Sequence, residues 1–159
     1  MEAGFSSLIG QLLNGLAGAS SLFLVAAGLS LIFGVTRIVN FAHGSFYMLG
    51  LYVAYTLVER LSGSIGFWPA LLLAPLATGV LGAVVEMALL RRIYRAPELL
   101  QLLATFALVL VVKDAVLWAW GPEELFGPRA PVLEGSVNVL GRPFPAYDLL
   151  LIAIGPVVL

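Results

Sequence analysis

The sequence predicts an all-α fold, a polytopic transmembrane helix bundle with about four complete spanning helices and a truncated fifth. Three observations predict it. Of 159 residues, 61% are hydrophobic and only 11% are charged, whereas a soluble domain needs about a quarter of its residues charged to keep its surface hydrated. Mean hydropathy is +1.05. The few charges also stand between long apolar runs: Ala3 to Thr36 and Leu61 to Val85 carry none, and Ile38 to Val58 carries only His43. Crossing a hydrocarbon core takes about 20 apolar residues, and each run is long enough.

The first helix is expected over about residues 8–33, with Gln11 and Asn14 near its start, at the depth where an interface tolerates polar groups. Gly15 and Ala19 are four residues apart, the small-xxx-small spacing that lets a second helix backbone approach. A cleaved signal peptide would need a basic leading region. The chain opens Met1-Glu2-Ala3 and reaches its first basic residue at Arg37, so the helix is expected to be retained. After a connector from Gly34, Asn40 is placed to cap the second helix, because its side-chain oxygen can accept from the free amides of the next turn. That helix is expected over about residues 41–58, with Tyr47, Tyr52 and Tyr55 as amphipathic rings.

Glu59 to Gly66 reads as a turn. Trp68-Pro69 then opens a third helix over about residues 67–90, with Trp at interface depth and Pro in the first turn, where its missing N–H matters least. Ala74, Thr78 and Gly82 form a ladder of small side chains suited to helix packing, and Pro75 sits where a kink would form. Arg91, Arg92 and Arg95 are the densest basic cluster. A fourth helix is expected over about residues 99–120, ending in the interfacial residues Trp118 and Trp120. Residues 121–146 form a long connector holding Pro122, Pro128, Pro131, Pro143 and Pro145, with room for a hairpin or a short amphipathic piece. A fifth apolar segment, 147–159, is too short to span with ease, so the chain is expected to be the N-terminal part of a single transmembrane domain.

Lys and Arg in short loops mark the cytoplasmic side. Arg91, Arg92 and Arg95 therefore act as topology determinants and place Arg37 in the cytoplasm with them. The N-terminus, Arg60 and the Pro-rich connector then fall outside.

Few residues suggest chemistry. His43, the only histidine, reads either as a substrate contact or proton relay, since intramembrane ionisable groups tend to serve a task, or as a packing or capping residue near a helix start. Asp114 can be read as a substrate contact, or as an outer-end structural pair with Lys113, though adjacent residues point about 100° apart on a helix. Glu86 reads as an interfacial carboxylate near Arg91. There is no Cys, no metal-ligand spacing, no nucleophile–base pair and no phosphate-binding loop, so no catalytic residue, metal or cofactor is expected. An intramembrane enzyme built on His43 and Asp114 would need a reaction that nothing here suggests. The net charge of −1 offers no field for nucleic acid.

The stretch Gly28-Leu29-Ser30-Leu31-Ile32-Phe33-Gly34-Val35-Thr36-Arg37-Ile38-Val39-Asn40-Phe41-Ala42-His43-Gly44-Ser45-Phe46-Tyr47-Met48-Leu49-Gly50 resembles the signature of the LivH-type permease subunits of branched-chain amino acid ABC transporters. Glu86 with the basic Arg91-to-Pro97 loop, Leu103-Ala104-Thr105, and Trp120-Gly121-Pro122-Glu123 match in order after it. The resemblance implies a permease of the bacterial plasma (inner) membrane that forms an import pathway with a second homologous permease. Cytoplasmic ATP-binding subunits would drive it and an external substrate-binding protein would deliver the amino acid. It makes Asn40, His43, Gly44, Tyr47 and Asp114 the substrate-pathway candidates. Two departures stand out: Lys113 replaces the glutamine common in the family, and family members are longer, their further part holding the loop that docks on the ATPase. A related permease for amides or urea, and a non-transporting membrane scaffold, are the alternative readings.

Overall fold

A computed structural model describes residues 2–61, 66–127, 130, 132–139 and 142–158. Part of the turn expected at Glu59–Gly66 and five connector residues, Pro128, Arg129, Pro131, Leu140 and Gly141, lie outside the described residues. The chain divides into two compact units, Leu29–Pro128 and Met1–Gly28 with Arg129–Leu159. Five helices and one hairpin are described: α1 (Glu2–Thr36), α2 (Ala42–Leu61), α3 (Phe67–Ile93), α4 (Glu98–Trp120), β1 (Ser136–Val139), β2 (Arg142–Pro145) and α5 (Ala146–Val157).

The all-α transmembrane class holds, but the number of spanning helices is smaller than expected. Among the described residues three helices are long and apolar enough to cross a membrane, Ser7–Thr36 within α1, α3 and α4, rather than four. The exception is α2. It has 20 residues, enough to span, but His43, Ser45 and three tyrosines make it too polar for a helix bathed in lipid. Its position explains the polarity: α2 packs against both α3 and α4, and a helix flanked by protein needs less apolar surface than one facing lipid.

Sequence-local chemistry sets the ends of these elements. At the close of α1 the Thr36 hydroxyl donates to the Ile32 carbonyl at 2.9 Å and the Arg37 amide donates to the Phe33 carbonyl at 2.8 Å. Arg37 itself has φ +55°, the left-handed conformation that terminates helices and that glycine adopts more readily. The Asn40 side-chain oxygen accepts from the Ala42 amide at 3.0 Å, the cap the sequence suggested, and α2 starts there. Pro75 lies inside α3 without ending it. Between Glu86 and Leu90, α3 widens into a π turn, in which the Arg91 amide donates to the Glu86 carbonyl five residues back. At the end of α4, Gly121 has φ +83° and ψ −179°, a region that side chains exclude, and its amide donates to the Leu117 carbonyl.

Within Leu29–Pro128 the core consists of Ala42, Leu90, Leu108, Val112 and Val116, with Phe46, Leu49 and Tyr52 packed against it. Thr105, Leu108, Val112 and Val116 recur at helical spacing, so one stripe of α4 is buried and the rest is left for lipid or other helices. Thr78, in the expected packing ladder, meets α2 at Gly50: a Cβ there would lie 3.4 Å from the Thr78 hydroxyl oxygen. The C-terminal end of α4 is tied to α2 by Trp120, whose indole N–H donates to Thr56 Oγ1 at 2.8 Å and whose ring lies 5.4 Å from that of Tyr52.

In the other unit, β1 and β2 pair antiparallel with Ser136 opposite Pro145 and Val139 opposite Arg142, so the connector holds a hairpin. The Ala146 amide donates to the Gly135 carbonyl and leads into α5. Gly155 of α5 lies close against α1; a Cβ on it would stand 3.1 Å from Ser20 Oγ. The seam expected on α1 at Gly15 and Ala19 is therefore not the one used among the described residues. Both are exposed, whereas Ala17 and Ser20 are buried.

Candidate functional site

A cavity of about 760 Å³ lies within the Leu29–Pro128 unit. The end of α1, the connector and the first three turns of α2 form one wall, through Ile32, Thr36, Asn40, His43 and Tyr47. Opposite, α3 contributes a long apolar strip from Ala70 to Gly82 and then Glu86 and Leu90. Tyr94, with Gln101 and Thr105 from the start of α4, also lines the cavity. A largely apolar wall with a few converging polar groups is the usual form of a small-molecule site.

Three of the five substrate-pathway candidates line this space: Asn40, His43 and Tyr47. They do so because a capping residue at 40 fixes the phase of α2, after which 43 and 47 recur on one face. Gly44 is on another face, exposed, with nothing within 4 Å of where its Cβ would be. Asp114 is also off the lining. It and Lys113 are exposed, away from the buried stripe of α4. The three small residues expected to pack, Ala74, Thr78 and Gly82, line the cavity as well. Small side chains thus allow the approach at Gly50 and keep the space beside it open.

On sequence alone Glu86 reads as an interfacial carboxylate near Arg91. It does pair with Arg91, at 3.5 Å between Oε1 and Nε, but it also lines the cavity, and among the described residues no other acid and no Lys or Arg lines it. The neighbouring Tyr94 hydroxyl has its pKa raised above the ordinary 10, first by partial burial, then by the Glu86 charge and a hydrogen bond to that carboxylate, against an opposing pull from Arg91. The phenol therefore keeps its proton at neutral pH. Gln101 holds this region in place, its side-chain amide donating to the carbonyls of Tyr94 at 3.1 Å and Ala96 at 2.8 Å. Tyr94, Gln101 and Thr105 were missed from sequence. The available signal was two polar side chains, Gln101 and Thr105, four residues apart at the start of an otherwise apolar helix. Arg91, Arg92 and Arg95 are exposed around the same end.

Residues 11–154 match the family described as branched-chain amino acid transport system, permease component. The chain belongs to this family. Among its relatives is the high-affinity branched-chain amino acid transport system permease protein BraD of Pseudomonas aeruginosa, 28% identical over 120 residues, which make up 72% of this chain and 39% of that protein. The LivH permease proteins of the corresponding systems of Salmonella typhimurium and Escherichia coli K12 are each 26% identical over 137 residues, 80% of this chain and 44% of theirs. This permease-family chain thus spans less than half the length of the curated relatives it matches. No solved structure matches it. Family membership and three helices of spanning length make it a multi-pass protein of the bacterial inner membrane.

Proposed function

We propose that the chain forms part of the membrane pathway of an ATP-driven importer for branched-chain amino acids. The observation that carries this is that the family-signature residues Asn40, His43 and Tyr47 converge on one apolar cavity rather than scattering over three helix faces. Such a cavity suits an aliphatic side chain, and its polar groups suit the charged end of an amino acid. In this reading ATP-binding subunits drive the transport and an external binding protein supplies the substrate. The exposed face of α1 carrying Gly15 and Ala19 is offered to the second permease subunit, because small residues let helices pack closely in lipid. The cluster Arg91, Arg92 and Arg95 holds its end of the bundle in the cytoplasm.

The test is uptake of labelled leucine by a strain lacking its own branched-chain systems and expressing the intact transporter. Asn40→Leu and His43→Leu are expected to depress uptake while leaving membrane insertion unchanged. Wild-type uptake by both variants would remove the motif from the pathway.

A further inference from the structure

Glu86 combines three features that its neighbours do not share. Among the described residues it is the only acid lining the cavity, and no Lys or Arg lines it. It opens the π turn of α3, a distortion that recurs at functional sites. Tyr94 beside it is a neutral donor, positioned by Gln101. A carboxylate beside apolar walls attracts a cation more strongly than one surrounded by water, because fewer waters screen it. Arg91 meets only part of that demand, since its side chain is 69% exposed and the contact is 3.5 Å long.

Resting on the transport reading above, we propose that Glu86 binds the ammonium group of the amino acid in transit, with the aliphatic side chain against Gly79 and Gly82, within two turns of the carboxylate on α3. The carboxylate accepts from the ammonium, Tyr94 donates to the carboxylate, and the widened turn sets the side chain into the cavity instead of along the helix. The substrate class is then a zwitterionic amino acid with an uncharged side chain. A neutral amide or urea lacks the cation this site asks for.

The experiment measures leucine uptake by the full-length permease assembled with its partner subunits, per inserted and assembled protein. Glu86→Gln keeps the shape and removes the charge. It is expected to lower the maximal rate by at least about tenfold, the worth of a charge-assisted hydrogen bond, with little change in the half-saturation concentration, which the external binding protein sets. Glu86→Asp should recover at least about a third of the lost rate, and Arg91→Gln should stay within about twofold of wild type, as expected of an exposed ion pair. Uptake by Glu86→Gln within about twofold of wild type would overturn the proposal; so would an equal loss in Asp and Gln variants, which means that shape matters and charge does not. A loss in Arg91→Gln as large as in Glu86→Gln would likewise overturn it, by assigning the effect to the ion pair. A wild-type assembly that imports no branched-chain amino acid is a separate outcome, and refutes the transport reading itself.

Discussion

Removing the contact between Trp120 and Thr56 should loosen the C-terminal end of α4 by an amount the geometry fixes. The indole N–H donates to Thr56 Oγ1 at 2.8 Å, and the same hydroxyl donates onward to the Tyr52 carbonyl at 2.9 Å. The hydroxyl is thus acceptor and donor at once, and Tyr52 and Trp120 also share a ring contact tilted at 48°. Trp120→Phe keeps an aromatic ring and loses the bond, at about 1 kcal/mol plus the smaller ring's lost packing. Thr56→Val leaves the indole N–H unpaired, again at about 1 kcal/mol or somewhat more. In the double variant the bond is already gone, so the two losses should fall short of additive by about 0.6–1.5 kcal/mol, the range for hydrogen bonds between membrane helices. Because the chain has no cysteine, a single Val116→Cys, at a site 2% exposed, can report unfolding by its reaction with a thiol dye during SDS titration in mixed micelles. A coupling below about 0.3 kcal/mol, within ordinary additivity, would refute the reasoning that this bond ties α4 to α2.

Three further outcomes follow from backbone and packing geometry. Gly121→Ala is expected to cost about 1–3 kcal/mol by the same titration, because φ +83° with ψ −179° is essentially closed to side chains. Gly50→Leu must push α2 from α3 where a Cβ already lies 3.4 Å from the Thr78 hydroxyl; about 1–3 kcal/mol is expected, and an unchanged titration midpoint would show that the approach is not tight. For orientation, a single cysteine replacing Arg92 should resist a membrane-impermeant reagent added to intact cells while one replacing Gly127 reacts, and the opposite pattern would invert the topology.

Much of the fold was legible because lipid imposes a simple code. Long charge-free runs had to become helices, since a bilayer offers backbone groups no other partner. Asn40 announced the start of α2 because its cap is a local bond within two residues. Other features depended on neighbours that a single sequence does not identify. The π turn at Glu86 leaves no composition signal, as Glu-Met-Ala-Leu-Leu is ordinary helix sequence. What covers Gly15 and Ala19 is hidden for a related reason, since spacing shows that two small residues share a face but not which helix meets it. His43 and Tyr47, pathway candidates through the family resemblance, line the cavity. Asp114 does not, because the buried stripe of α4 is set by Thr105, Leu108, Val112 and Val116, and position 114 falls off it.

The widened turn in α3 has a consequence for how the helix is read. An i→i+5 bond at Glu86 admits one more residue than an α-turn holds, and each residue advances an α-helix by about 100°. Everything after Leu90 is therefore out of step with everything before Glu86, like a screw whose thread has been cut twice. A hydrophobic wheel drawn through Phe67–Ile93 as one piece would assign Arg91, Arg92 and Ile93 to the wrong sides. Deleting a single residue between Met87 and Leu89 should restore a continuous thread and swing the arginines around the axis, so the span of α3 would survive while the orientation of its charged end would not.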